Sequence, residues 1–435
     1  MIQTLAVVDV GSNTSTLAVY RGTRAGGLDR VLQEGASLKL IRQIGPDGRL
    51  PPAAIRATVD AIRRFRDRAQ ALGASYVEAV ATSAVRDAVN QEELLSAVRA
   101  MGVQIRILDG ESEGVCAVVS AVNTLPLTDG FVVDQGGGSM QIAHVTTRRA
   151  RQVVSLPLGA LRLTDRFFTT DPPDAAAVTA LRRHVHQAIT PLRWFSAGNG
   201  GTLVGVGGSL RALAKVDRRQ RAWPVASGHG YLLTIDAIEA IWEQTSRVPA
   251  AARAAIPGLA GHRVETVAAA AQTYLTLMRA GGFDRITVSS YGIREGVAFR
   301  RLFGEETDGL VPDVRVAGLT SRFPKGSAAP SVRRLADAAG VDAGIALAAA
   351  WLLPLGGDVV NRLLDAPLPG YTQSEVLAVV DVLTGGSRVL GIHGREHLRL
   401  VAEIAIADPE ARVEQGRIVA RVDRRMLEQL EQLRV

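Results

Sequence analysis

Val132-Val133-Asp134-Gln135-Gly136-Gly137-Gly138-Ser139, running on into Ile142-Ala143-His144-Val145, is the stretch that decides the fold. An apolar run delivers an aspartate to a turn of glycines and serine, and a second β-prone run returns, so the segment reads as a hairpin. The pattern already occurs 125 residues earlier, counted from Asp9 to Asp134. There it reads Val7-Val8-Asp9-Val10-Gly11-Ser12-Asn13, continuing into Thr16-Leu17-Ala18-Val19. Glycine permits left-handed backbone and close approach, so such a turn aims several N–H groups at one anion. Two copies imply a duplicated architecture with a cleft between the halves. That points to a phosphate site with acidic residues for a metal.

Outward from the hairpins, the pattern predicts an α/β chain. Residues 5–20 read as one hairpin and 28–42 as another pair of short strands. A helix is expected over 52–72, where Ile55, Val59, Ile62 and Phe65 share a face. Then follow a strand at 76–81, a turn at Thr82-Ser83, a helix near 84–100, a strand at 105–108, and a helix from Asp109-Gly110 to about Asn123. The order repeats from 131: hairpin, a strand at 152–156, a long helix over 174–195, a strand at 203–206 and a helix from Ser209. Helices over 234–245 and 262–280, a strand at 286–289 and a helix from 292 complete it. The Gly-, Pro- and Ser-rich stretch 303–330 reads as a linker. The expectation is therefore two related domains, 1–125 and 126–302, then a mainly helical domain over 331–435. That last part is expected to end in a small hairpin near 412–419 and a final helix.

Composition narrows the function classes. A chain of 435 residues exceeds one hydrophobic core, and 47% apolar with 21% charged residues is ordinary for a globular protein. The single cysteine, Cys116, excludes an internal disulfide and suits a reducing cytosol. It lies in an apolar run and reads as a small buried hydrophobe. The chain opens almost directly on a strand, so no secretion signal is expected, and the apolar stretch from Ala343 to Leu355 is too short to span a bilayer. A cytoplasmic protein with no membrane partner is the expectation. The formal charge of +7 comes from arginine, since Lys39, Lys215 and Lys325 are the only lysines. It favours acidic partners, while aromatic residues at 4% argue against base stacking on a nucleic-acid surface.

Several residues are candidates for chemistry. Asp9 and Asp134 end equivalent strands, and a strand-end aspartate can simply cap its own turn. As a pair they would face each other across the cleft near hydrated Mg²⁺, which usually takes one or two carboxylates. Leu203-Val204-Gly205-Val206 followed by Gly207-Gly208-Ser209 is a strand, a glycine pair and a helix start, a natural anion site. It is neither a Walker loop nor a dinucleotide fingerprint. Glu113 lies in a first helical turn, where an acid complements the helix dipole even without a further role. Arg86 and Arg162 offer planar forks suited to phosphate, although single arginines are commonly surface residues. His393-Gly394-Arg395-Glu396-His397 matches an inverted zinc-protease pattern, but its internal glycine and the lack of a third ligand argue against zinc.

Seven segments in order resemble the exopolyphosphatase/guanosine pentaphosphate phosphohydrolase family, within the actin-like, sugar-kinase-like ATPase superfold. They are Asp9–Asn13, Ala81–Arg86, Gly110–Glu113, Asp134–Ser139, Ser155–Arg162, Gly205–Ser209 and Gly292–Gly296, spread over roughly residues 3–300. The resemblance implies two ribonuclease-H-like domains flanking a cleft, and hydrolysis of polyphosphate or guanosine pentaphosphate. It implies Glu113 as the group that activates water, and Asp9 and Asp134 as holders of Mg²⁺. Ser12, Asn13, Arg86, Gly136, Gly137, Gly138, Ser139, Gln141, Gly207, Gly208 and Ser209 would bind phosphate. A homodimer is expected, with no nucleic-acid partner. Two departures stand out: Gln141 where the family usually has glutamate, and polar Gln135 where it has an apolar residue. Residues 331–435 resemble a degenerate His-Asp phosphohydrolase domain, without a surviving His-Asp pair.

Overall fold

A computed structural model of the chain describes residues 3–23, 27–196, 201–304, 309–329, 331–356, 358–366, 368–384, 395–414, 417–420, 422 and 426. The chain divides into two compact units, Met1–Trp223 with Tyr231–Pro312, and Pro224–Gly230 with Asp313–Val435. Both repeated hairpins lie in the first.

The first unit holds two mixed sheets. In one, strands β1 (Gln3–Val10), β2 (Thr14–Thr23), β3 (Gly27–Ser37), β4 (Tyr76–Ala81) and β5 (Ile105–Ile107) are ordered β3-β2-β1-β4-β5. In the other, β6 (Gly130–Gln135), β7 (Met140–Thr146), β8 (Arg149–Leu156), β9 (Leu203–Val206), β10 (Tyr231–Thr234) and β11 (Arg285–Val288) are ordered β10-β11-β9-β6-β7-β8. The duplication is explicit in the pairing. β1 is antiparallel to β2 and parallel to β4, as β6 is antiparallel to β7 and parallel to β9. Val8 and Val133 are fully buried, so each central strand presents apolar side chains to covering helices, and its aspartate is the last residue but one.

The helices that follow β5 and β11, Gly110–Val122 and Ile293–Phe303, pack on each other. Gly296 permits this, because a Cβ there would collide with the Cys116 carbonyl. Cys116 is completely buried, as its apolar run indicated.

Element boundaries differ from expectation where tertiary contacts intervene. Residues 28–42 form one long strand and a short helix, Leu40–Gln43, separated by Lys39 at φ 47. The helix expected over 84–100 breaks into Ser83–Arg86 and Gln91–Arg99. Between them Asn90 bonds both backbone groups of Leu50, at 2.8 and 3.0 Å. The helix expected over 174–195 is Ala175–Ile189 plus the short Arg193–Ser196. β10 carries no alternating apolar signal of its own, because it is a four-residue edge strand held by β11.

The second unit is mainly helical. Within 303–330, read as linker, Asp313 caps the helix Val314–Arg322 by accepting from Arg315 and Val316 N–H groups. Pro224–Gly230 belongs here through hydrogen bonds such as Ala226 N–H to the Leu364 carbonyl at 2.8 Å. The late hairpin exists as Arg412–Glu414 paired with Arg417–Val419. The final helix and the start of the His393–His397 stretch lie outside the described residues. Among the described residues, no helix is long and apolar enough to cross a membrane.

Candidate active site

The two hairpin turns meet. A Cβ placed on Gly137 would lie 3.4 Å from Asn13 Cβ and 3.5 Å from Ser12 Cβ. Gly138 is equally confined, since a Cβ there would strike Ser83 Oγ. Ser12 Oγ in turn lies 2.7 Å from Ser83 Oγ and accepts from the Ala84 N–H at 3.2 Å. On the far side of the glycine loop, the N–H groups of Ala160 and Leu161 donate to the Gly136 and Gly137 carbonyls at 3.0 and 3.1 Å. Peptide planarity sets the N–H groups of Gly137 and Gly138 on the side opposite those carbonyls. Gln135, the polar departure, is structural: its amide donates to the Leu158 carbonyl at 3.0 Å and anchors the chain that carries these donors.

A cleft of about 420 Å³ opens between the hairpins. Of the sequence candidates, Asp9, Ser12, Asn13, Glu113, Asp134, Gly136, Gly137, Gly138, Ser139, Gln141, Gly207 and Gly208 line it. Arg86 and Ser209 are placed otherwise. Arg86 forms a close ion pair with Glu113 and donates to the Leu108 carbonyl at 2.7 Å, both through Nη1. Ser209 is buried in the first turn of the helix Gly208–Gln220, with no hydrogen-bond partner for its hydroxyl. Arg162 donates to the Gly138 carbonyl at 2.9 Å and pairs with Asp87 at 3.2 Å.

Glu113 has the electrostatics of a base. It follows strand β5 on a helix whose N-cap, Asp109, accepts from the Ser112 N–H at 2.7 Å. Only 3% of its surface is exposed. Burial raises its pKa from 4.5 to about 7, the Arg86 hydrogen bond and charge pull it down, and Asp134 and Asp9 push it up again. Asp134 is raised to about 6, chiefly by burial, against the nearby Arg211. Asp9 is raised for the same first reason, opposed by Arg294 at 3.5 Å.

These aspartates fit a small divalent cation. Asp9 Oδ1 is buried without a hydrogen-bond partner, and both carboxylates carry a desolvation cost that a cation would offset. Among the described residues no three His, Cys, Asp or Glu side chains form a protein-only cage. Hard carboxylate oxygens in a pair suit Mg²⁺, which keeps waters and takes few protein ligands.

The sequence reading missed the cationic wall: Arg211, Lys215, Arg263 and Arg294 also line the cleft, with His262 beside them. Burial first, then Arg294, lowers Arg211 to about 10, still charged at neutral pH. Burial also lowers His262, helped by Arg263 and Lys215. Burial disfavours the Arg294 charge, but Glu295, Tyr20 and Asp9 overcompensate and hold it above the ordinary value. A signal was available: Arg211 and Lys215 stand one helical turn apart just after the Gly207-Gly208 turn, and lysines are scarce here.

Paired strand–turn–strand halves closing on a glycine-lined, carboxylate-bearing cleft define the actin-like ATPase fold. The chain belongs to the Ppx/GppA phosphatase family, whose sequence profile matches residues 19–304. It is 30% identical over 312 residues to exopolyphosphatase 1 of Mycobacterium leprae, covering 70% of this chain and 91% of that protein. It is 25% identical over 328 residues to the guanosine-5'-triphosphate,3'-diphosphate pyrophosphatase of Aeromonas hydrophila, covering 73% and 63% respectively. The crystal structure of the Aquifex aeolicus Ppx/GppA family member superposes with a TM-score of 0.61 at 28% identity, over 70% of this chain and 98% of that one.

Proposed function

We propose that the protein is an Mg²⁺-dependent phosphoanhydride hydrolase that releases terminal orthophosphate from inorganic polyphosphate, from guanosine pentaphosphate, or from both. The observation that carries this reading is Glu113. It is a buried carboxylate with a pKa near 7, held by Arg86 at a cleft lined by anion-binding turns. A base poised near neutral pH is what proton removal from water requires.

The chain's groups divide the work. N–H groups of the two turns, with Ser12, Asn13 and Ser139, bind the terminal phosphate. Arg211, Lys215, His262 and Arg263 accept the negative groups that follow. Glu113 takes a proton from water as the water oxygen bonds to the terminal phosphorus. The bridging P–O bond breaks, and the remaining phosphate keeps its electrons. Fixed donors aimed at the transferring group stabilise that charge without reorganisation. Mg²⁺, held by Asp9 and Asp134, would neutralise phosphate charge when bound.

The reading includes a cytoplasmic setting, which the lone buried Cys116 supports, and a homodimer. One observation favours an alternative: the neutral amide of Gln141, where the family resemblance implies glutamate, suits a protein that binds polyphosphate or guanosine tetraphosphate with little turnover. Orthophosphate release from long polyphosphate and from guanosine pentaphosphate, side by side with and without Mg²⁺, separates the two. Mg²⁺-dependent release from either substrate supports the hydrolase. Tight binding with no release of phosphate favours the alternative and defeats the main reading.

A further inference from the structure

Gln141 stands where the family resemblance implies glutamate, and its surroundings give that departure a role. It faces Asp134 in the β6–β7 ladder and Ser155 in the β7–β8 ladder, and its side chain is buried. Its amide nitrogen lies 3.3 Å from Glu113 Oε2, 3.0 Å from Ser139 Oγ and 2.9 Å from Ser155 Oγ. Ionised Glu113 only accepts hydrogen bonds, so in that state the amide end that faces it is the NH₂ group. The NH₂ group has two protons for these three oxygens, so Glu113 shares it with the two serine hydroxyls.

The packing around this contact is built. The helix that carries Glu113 presses on β7 and β8 through two glycines one turn apart. A Cβ on Gly110 would collide with Ser155, and one on Gly114 would collide with Val153 and sit 3.5 Å from Gln141 Cβ. Any side chain at either position would push the helix outward and part Glu113 from the amide.

We propose that Gln141 is a positioning residue for Glu113: its amide holds Oε2 while Arg86 holds Oε1, so the carboxylate meets the attacking water in one orientation. This rests on the hydrolase reading above. The groups acting on Glu113 are then Arg86 from the helix Ser83–Arg86, Asp9 from β1, Asp134 from β6, and the neutral Gln141 from β7. A glutamate at 141 would be a third carboxylate beside Glu113. It would replace a donor with an acceptor and raise the affinity of Glu113 for a proton.

The test compares wild type with Gln141→Glu and Gln141→Met. Glu113 titration is followed by NMR of ¹³C-carboxyl-labelled glutamate, assigned with Glu113→Gln, and kcat and KM for polyphosphate are measured against pH. Gln141→Glu is expected to move the Glu113 titration upward by about one unit, which lowers the ionised fraction at pH 7 about fivefold. The kcat limb moves with it. Gln141→Met, similar in volume but without a donor, is expected to lower kcat with KM nearly unchanged. An unmoved Glu113 titration in Gln141→Glu, or faster turnover of that variant at pH 7, overturns the proposal. If wild type releases no phosphate, the hydrolase reading fails, while the NMR titration still decides whether the amide governs Glu113.

Discussion

At the scale of single residues, Glu113 carries opposed forces. Burial favours its protonated form, Arg86 favours the ionised form, and the balance lies near pH 7. A base must be ionised to accept a proton, so the rate is expected to fall as pH drops below about 7. The sign for stability is opposite. The unfolded group ionises near 4.5 and the folded one near 7, so its ionised form is penalised by the fold. Its favourable contribution is complete below 4.5 and is lost as pH rises through 7. Thermal melts of Glu113→Gln against wild type should therefore shift in favour of the variant between pH 5 and pH 8; a difference that moves the other way contradicts the assignment. The sequence nominated Glu113 because it follows a strand and an N-capping aspartate. It gave no way to see that Arg86, 27 residues earlier, would pair with that carboxylate. Side-chain direction depends on the short helix Ser83–Arg86, which exists only because the expected longer helix breaks.

At the scale of elements, the strand–turn–strand repeats were legible because alternation and glycine turns are local signals. Helix interruptions were not, since the breaks are set by distant partners such as Asn90 on Leu50. The turn after β9 makes the strongest demand on its residue type. Gly207 has φ 95, and a Cβ there would lie 2.6 Å from the Gln135 carbonyl and 2.7 Å from Asp134 Oδ1. Gly207→Ala is expected to cost about 1–3 kcal/mol in denaturant unfolding through strain at that backbone conformation. Gly136→Ala is the contrast, because its Cβ would meet only the Ser139 carbonyl at 3.6 Å. Equal stability of the two variants would refute the strain argument.

At the scale of the whole molecule, the duplicated halves of the first unit are tied by exposed ion pairs. Arg42 forks onto Asp165 and also donates to Glu265 at 2.7 Å, with Lys39 at 3.7 Å from the same glutamate. Such exposed pairs are each worth about 0–1 kcal/mol, so the shared packing of the helices Gly110–Val122 and Ile293–Phe303 matters more to the fold. Part of the formal charge of +7 acquires a location in the cleft wall at Arg211, Lys215 and Arg263, which composition alone did not give. A cationic wall attracts a polyanion, and salt screens that attraction over about 8–10 Å. KM for polyphosphate should rise with ionic strength, and Lys215→Met should raise KM at low salt while flattening that dependence. A variant with the full wild-type salt slope would remove Lys215 from substrate binding.

All three scales converge on one claim, that the cleft hydrolyses a terminal phosphoanhydride with Glu113 as its base. The direct measurement is orthophosphate released from polyphosphate at pH 8 with Mg²⁺, by wild type and by Glu113→Gln confirmed as folded by circular dichroism. Loss of a positioned base typically costs about 10²–10⁴ in rate, so the variant should release almost nothing while wild type turns over. Release by Glu113→Gln at the wild-type rate would contradict the account.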